Sequence, residues 1–194
     1  MRAFLGVVAA ACLLGAGFVA GILLEDEPEP ATLTEVSTEL VTTRETVTAT
    51  TAGEGLPGAV AATRDAMLAA AEAGDHEALA ALADESFRYS FGGPVEGGPV
   101  AFWKNLETAT GERPLDDLAA ILRMPYTLSQ GYYVWPFVYS AEDLSALSQH
   151  EIELLQPVLE PGELEANAES GIGWLGWRAG ITPDGRWEFF VAGD

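Results

Sequence analysis

The sequence predicts a mixed α+β domain preceded by one transmembrane helix, and three observations carry that prediction. Residues 3–24 are an unbroken apolar run. Residues 86–91 alternate aromatic and polar side chains, as a strand with one buried face requires. Two apolar segments, Trp174 to Ile181 and Arg186 to Ala192, flank Thr182-Pro183-Asp184-Gly185, a turn sequence that makes a hairpin.

The run from Ala3 to Leu24 holds 11 Leu, Ile, Val or Phe residues, 6 Ala, 4 Gly and Cys12, with no charge. As a helix it reaches about 33 Å, enough to cross a hydrocarbon core of about 30 Å. Arg2 is the only basic residue beside it, which places the N-terminus in the cytoplasm and everything after Leu24 outside. The expected location is the plasma membrane, single-pass, with an extracytoplasmic C-terminal domain. The competing reading is secretion after cleavage at Val19-Ala20-Gly21, but this leaves Ile22-Leu23-Leu24 beyond the cut and needs an overlong apolar region. A lipoprotein reading of Cys12 after Ala9-Ala10-Ala11 is the third alternative, against which stand the short apolar stretch before it and the apolar residues after it. Gly17 and Gly21 have the GxxxG spacing that lets two anchors approach as a homodimer. Cys12 is the only cysteine, so the domain has no disulfide to rely on and needs a packed core.

Residues 25–55 carry nine threonines, many acidic residues and no aromatic side chain. Leu33, Val36, Leu40 and Val47 sketch a helical seam, but β-branched threonines and too few heptads oppose a coiled coil. The segment reads as a disordered stalk.

Residues 56–194 form the domain, long enough to bury a core. Pro57 opens a helix from Gly58 to Ala73 that ends at Gly74, and Asp75 caps a second helix carrying Leu79 and Leu82. The alternating strand then buries Phe87, Tyr89 and Phe91. The glycine cluster at 92–98 reads as a turn needing positive φ rather than a phosphate loop, since it lacks the Lys-Ser/Thr ending. Pro99 and Pro114 start two further helices, the first holding Phe102, Trp103 and Leu106 and the second Leu115, Leu118, Ile121 and Leu122. Tyr132 to Tyr139 reads as a strand, in which Pro136 points to an edge position or a bulge. Ser148 and Glu151 form a capping box for a helix through Leu155. In the closing hairpin, Leu175, Trp177, Ala179 and Ile181 are expected opposite Trp187, Phe189 and Val191 on the buried face.

The whole chain carries a net charge of −21, and its domain has 22 acidic against 7 basic residues. Such a surface repels nucleic acid and anionic lipid. Lys104 is the single lysine, a composition that suits a GC-rich bacterial genome or a salt-rich habitat.

No strong catalytic signature is present. Glu163, Glu165, Asn167 and Glu169 alternate like calcium ligands, but Ala168 stands where the loop needs glycine and Trp174 where it needs a closing glutamate. His76 and His150 have no ligand partners at metal spacing. No metal and no cofactor is expected. What remains is a set of aromatic residues, Tyr89, Trp103, Tyr133, Trp135, Trp177 and Trp187, able to line an apolar pocket with Arg88 or Arg178 as its charged contact. The candidate ligand-binding residues are therefore Arg88, Tyr89, Trp103, Tyr133 and Arg178. Ordinary core packing is the competing reading of the aromatic residues.

The succession from Ala69 to Leu82, helix, Gly74-Asp75, helix, followed by an aromatic strand, a glycine turn and another helix, resembles the opening of NTF2-like (SnoaL-like) domains. The hairpin around Asp184-Gly185-Arg186-Trp187 resembles their close. This resemblance implies a cone of curved antiparallel sheet with packing helices, whose mouth in the family binds a small molecule, catalyses or merely packs. Residues 141–170 depart from it, being helical and acidic where the family continues its sheet. The chain as a whole also resembles membrane-anchored proteins of GC-rich actinobacteria. The expected function is a non-catalytic extracytoplasmic binding or interaction domain, for a small apolar ligand or a protein partner. The alternative is an enzyme acting on a small apolar substrate in the pocket. An acid or base inside a cavity separates the two.

Overall fold

The computed structural model describes residues 55–193. The expected anchor at residues 3–24, the expected Gly17/Gly21 approach of two anchors and residues 25–54 of the expected stalk lie outside the described residues. Among these, no helix is long and apolar enough to cross a membrane.

Helix α1 spans Gly58–Glu72 and buries Val60, Met67, Ala70 and Ala71. Its alanines leave room for α4, Pro114–Leu122, which buries Leu115, Leu118, Ala119, Ile121 and Leu122. Arg64 fixes this pair. Its Nε and Nη2 both donate to the Leu122 carbonyl, at 3.1 and 2.9 Å, satisfying an orphan acceptor at the end of α4. Gly74 takes φ +64, and the Asp75 carboxylate accepts from the Ala78 amide at 2.9 Å to cap α2, His76–Ala80. Helix α3, Gly98–Ala109, carries Pro99 in its first turn and sends Trp103 fully into the core. The capping box of Ser148 and Glu151 opens α5, Gln149–Leu155, and α6 follows at Glu163–Ser170.

Five strands form a curved, unclosed sheet in the order β1-β5-β4-β3-β2. They are β1 Ala83–Arg88, β2 Thr127–Ser129, β3 Tyr132–Trp135, β4 Arg178–Ile181 and β5 Trp187–Val191. The expected sheet was antiparallel throughout; in the structure β1 runs parallel to β5, and only the other three pairings are antiparallel. A hairpin cannot join parallel neighbours, so the chain between β1 and β5 supplies α3, α4 and the rest of the sheet.

Pairing fixes which side chains share a face. Tyr133 lies opposite Ile181, and Trp135 opposite Ala179. Trp135, Ala179, Ile181, Trp187 and Phe190 join the helices in one core, where Trp187 stacks near Phe87, Trp103 and Phe190 at centroid distances of 4.3, 6.1 and 6.4 Å. This corrects the expected hairpin parity. The pairing register slips between Gly180 and Ile181, so Trp187 and Phe190 point inward together while Phe189 points the other way. An extra residue in one strand flips every later side chain.

Two further expectations change. The strand after α2 ends at Arg88, and Phe91 is exposed instead of buried, because the chain leaves the sheet toward the glycine turn. There the Tyr89 hydroxyl accepts from the Val95 amide at 2.8 Å, and Gly93, Gly97 and Gly98 all have positive φ. Pro136 sits neither in an edge strand nor in a bulge. It ends β3, which is paired on both sides, and a short 3-10 turn over Phe137–Ser140 follows. A proline has no amide hydrogen with which to continue a central ladder.

Candidate functional site

The face of the sheet turned away from the helices carries Tyr132, Val134, Arg178, Phe189 and Val191. Gly180 also belongs to it, and a Cβ there would overlap the Phe189 ring. Val134 and Val191 are buried but stand outside the helix-side core. They floor a hollow of about 320 Å³, within the range of small-molecule sites, whose rim includes Arg88, Ser90 and Phe91. A second hollow of about 390 Å³ adjoins it, walled by Ile172, Trp174 and Glu142. The two share Ser129, Gln130, Tyr139 and Arg178.

Arg178 is the fixed point of this surface. Only 9% exposed, it donates from Nη2 to the Gly193 carbonyl at 2.7 Å and from Nη1 to the Gly176 carbonyl at 3.4 Å. Its guanidinium lies 5.3 Å from the centre of the Phe91 ring and 5.9 Å from that of Tyr139, both within cation-π range. Arg88 differs. Its side chain is 63% exposed, and the nearest carboxylate oxygen, on Glu188, is 3.8 Å away.

Gln130 occupies the shared wall in an unusual conformation. With Ser129 opposite Tyr132, only Gln130 and Gly131 connect β2 to β3, and their φ values are +51 and +86. This is the pattern of a type I′ turn, where asparagine or glycine normally takes the first position. A left-handed conformation costs a residue such as glutamine about 1–2 kcal/mol.

Of the candidate ligand-binding residues, the structure brings Arg88 and Arg178 to one hollow. Tyr89 packs 5.5 Å from Phe102 and holds the glycine turn. Trp103 is fully buried, and its indole nitrogen has no acceptor among the described residues. Tyr133 packs against Tyr126 on the helix side, 5.5 Å between centroids. Trp135, Trp177 and Trp187 all belong to the core. Sequence reasoning missed Gln130, Tyr132, Tyr139 and Phe189. Gln130-Gly131 between two alternating segments was the one available signal, since such a dipeptide marks a tight hairpin.

Glu163, Glu165, Asn167 and Glu169 fall on α6, where residues two apart point about 200° from one another and cannot converge on an ion. Among the described residues no group of three or more His, Cys, Asp or Glu side chains is arranged to hold a metal. His76 pairs with Glu107 at 2.8 Å. The most displaced acid is Asp117, in the first turns of α4 and outside both hollows. Burial, and then the carboxylates of Asp116, Glu112, Glu160 and Glu163, push it up to about 6.

That shift gives a stability prediction. The folded state holds this proton more tightly than the unfolded chain, whose value is near 3.8, so stability falls as pH rises from about 4 to about 6 and then levels off. Asp117→Asn removes the penalty and is expected to gain about 1–2 kcal/mol at neutral pH, allowing for solvent screening. Urea midpoints across this pH range check it. A variant with an unchanged midpoint at pH 7 contradicts the prediction.

No protein-family model, curated protein or solved structure matches this chain.

Proposed function

We propose that this chain is a single-pass plasma-membrane protein, anchored by residues 3–24 and displaying an NTF2-like, non-catalytic binding domain outside the cell. The paired helices α1 and α2, the strand and helix after them, and a curved sheet with packing helices are consistent with that family's architecture. The observation that carries the binding reading is the pair of adjoining hollows on the open sheet face. The hollow lined by Arg88, Phe189 and Val191 among others has no carboxylate, histidine, lysine or cysteine in its lining. A binding site needs only shape and a few polar anchors, whereas an enzyme acting on a small apolar substrate would need a positioned acid or base.

Two measurements test this. Mass spectrometry of the mature protein is expected to find residues 3–24 retained; an N-terminus near Ile22 would replace the anchor with secretion. For the domain, thermal shifts of the full chain are recorded against a panel of small neutral, cationic and anionic compounds. A ligand at 100 times its Kd stabilises the folded state by about 2.7 kcal/mol. Binding without chemical change of the ligand is the expected result. Turnover of any panel member would favour the enzyme, and silence of the whole panel would overturn the small-molecule binding reading.

A further inference from the structure

We propose that the open-face hollow takes a small amphipathic carboxylate, with Arg88 and Gln130 recognising its charge. This rests on the binding reading above and names the ligand class. Residues 56–194 contain 22 acidic and 7 basic side chains, yet the lining of this hollow includes two of those seven and no carboxylate. On so acidic a domain this lining is a local exception, with Glu188 3.8 Å from Arg88 and Glu142 in the adjoining hollow as the nearest carboxylates that the ligand must outcompete.

The two arginines divide the work. Arg178 is engaged within the fold, by backbone carbonyls and two aromatic rings among others, so it shapes the hollow and leaves the ligand's charge to Arg88. Arg88 is exposed, and its 3.8 Å separation from Glu188 exceeds hydrogen-bond length. Its guanidinium is therefore able to turn to a bidentate pairing with an incoming carboxylate. Gln130 adds an amide N–H donor. Its side chain makes no hydrogen bond among the described residues, and it stands on the wall common to both hollows. Asparagine or glycine would fit the turn better, and neither would extend an amide as far. Val134, Phe189 and Val191 supply an apolar floor. The hollow, of about 320 Å³ and open to solvent on one side, has room for a small aromatic acid.

Phenylacetate and its neutral isostere phenylacetamide are the probes, titrated calorimetrically into the detergent-solubilised full chain. Phenylacetate is expected to bind at least about tenfold more tightly than the amide. Gln130→Glu keeps the side-chain shape and reverses its effect on an anion. It should weaken phenylacetate at least about tenfold and weaken phenylacetamide clearly less, so that the preference for the acid is lost. Arg88→Gln should abolish the preference for the acid. Equal affinities for the two probes overturn the proposal, as does wild-type phenylacetate affinity in Gln130→Glu. Binding of phenylacetamide alone rejects the carboxylate class and leaves the binding reading standing. If both probes are silent while other panel compounds bind, the ligand class falls alone; if the entire panel is silent, both fall.

Discussion

Trp187→Ala is expected to remove about 3 to 5 kcal/mol of stability, a large share of the 5 to 15 kcal/mol typical of a whole domain. Trp187 is 1% exposed and sits where β5 meets α3 and β1. Its ring touches Phe87, Trp103 and Phe190, three large groups that cannot all collapse into the space an alanine would leave. The indole N–H also donates to the Phe189 carbonyl at 3.1 Å, across the irregular stretch of β5. Denaturant unfolding followed by circular dichroism measures the loss. Phe189→Ala makes the contrast, since Phe189 lines the hollow on the opposite face and should cost clearly less. An unchanged midpoint for Trp187→Ala would remove this residue from the core.

Arg64→Ala should cost about 2 to 3 kcal/mol although it touches neither hollow. Its guanidinium delivers two donors to one carbonyl at the end of α4, and the side chain is only 15% exposed. A charged hydrogen bond of this kind is worth about 1.5–3 kcal/mol, and a cation at a helix C-terminus adds about 0.3–1 kcal/mol. The neighbouring Asp65 takes Nη1 at 2.8 Å but is exposed, so that ion pair contributes little. Arg64→Lys separates the two contributions. It keeps the charge but cannot present two forked donors to the same oxygen, so it should recover only part of the loss. Urea midpoints of the two variants decide it, and a full recovery by lysine would reduce Arg64 to its charge.

The helices were legible because their ends are written in local chemistry. Gly74 and Asp75 separate α1 from α2, Pro99 and Pro114 open α3 and α4, and Ser148 with Glu151 caps α5. Strand faces were legible only where alternation is regular. Within β5 the register slip puts Phe190 beside Trp187, and counting by twos from Trp187 selects Phe189 instead. Phe91 was misread for a related reason: its alternation outlasts the strand, which stops at Arg88. The hollow was harder still. It is lined from β1, β2, β3, β4 and β5, and its neighbour also from the loop after α6, brought together by a parallel pairing that no local signal announces. The tryptophans that drew attention as pocket residues are the largest apolar groups in the chain, and burial on the helix side claimed them first.

The parallel pairing of β1 with β5 also has a meaning in time. Ala83 must wait for Trp187, about a hundred residues later, before its ladder can form. At ordinary synthesis rates that interval is roughly 5 to 20 s, far longer than the microseconds in which a helix or hairpin assembles. Throughout it, α1 to α4 exist without the aromatic surface they cover, and β1 is an open edge. Closure of this domain is thus a late, non-local event, of the kind that slows folding and exposes a nascent chain to misassociation. Residues 56–186, made before β5, contain 20 acidic and 7 basic side chains, a net negative charge that keeps unfinished copies apart until β5 arrives.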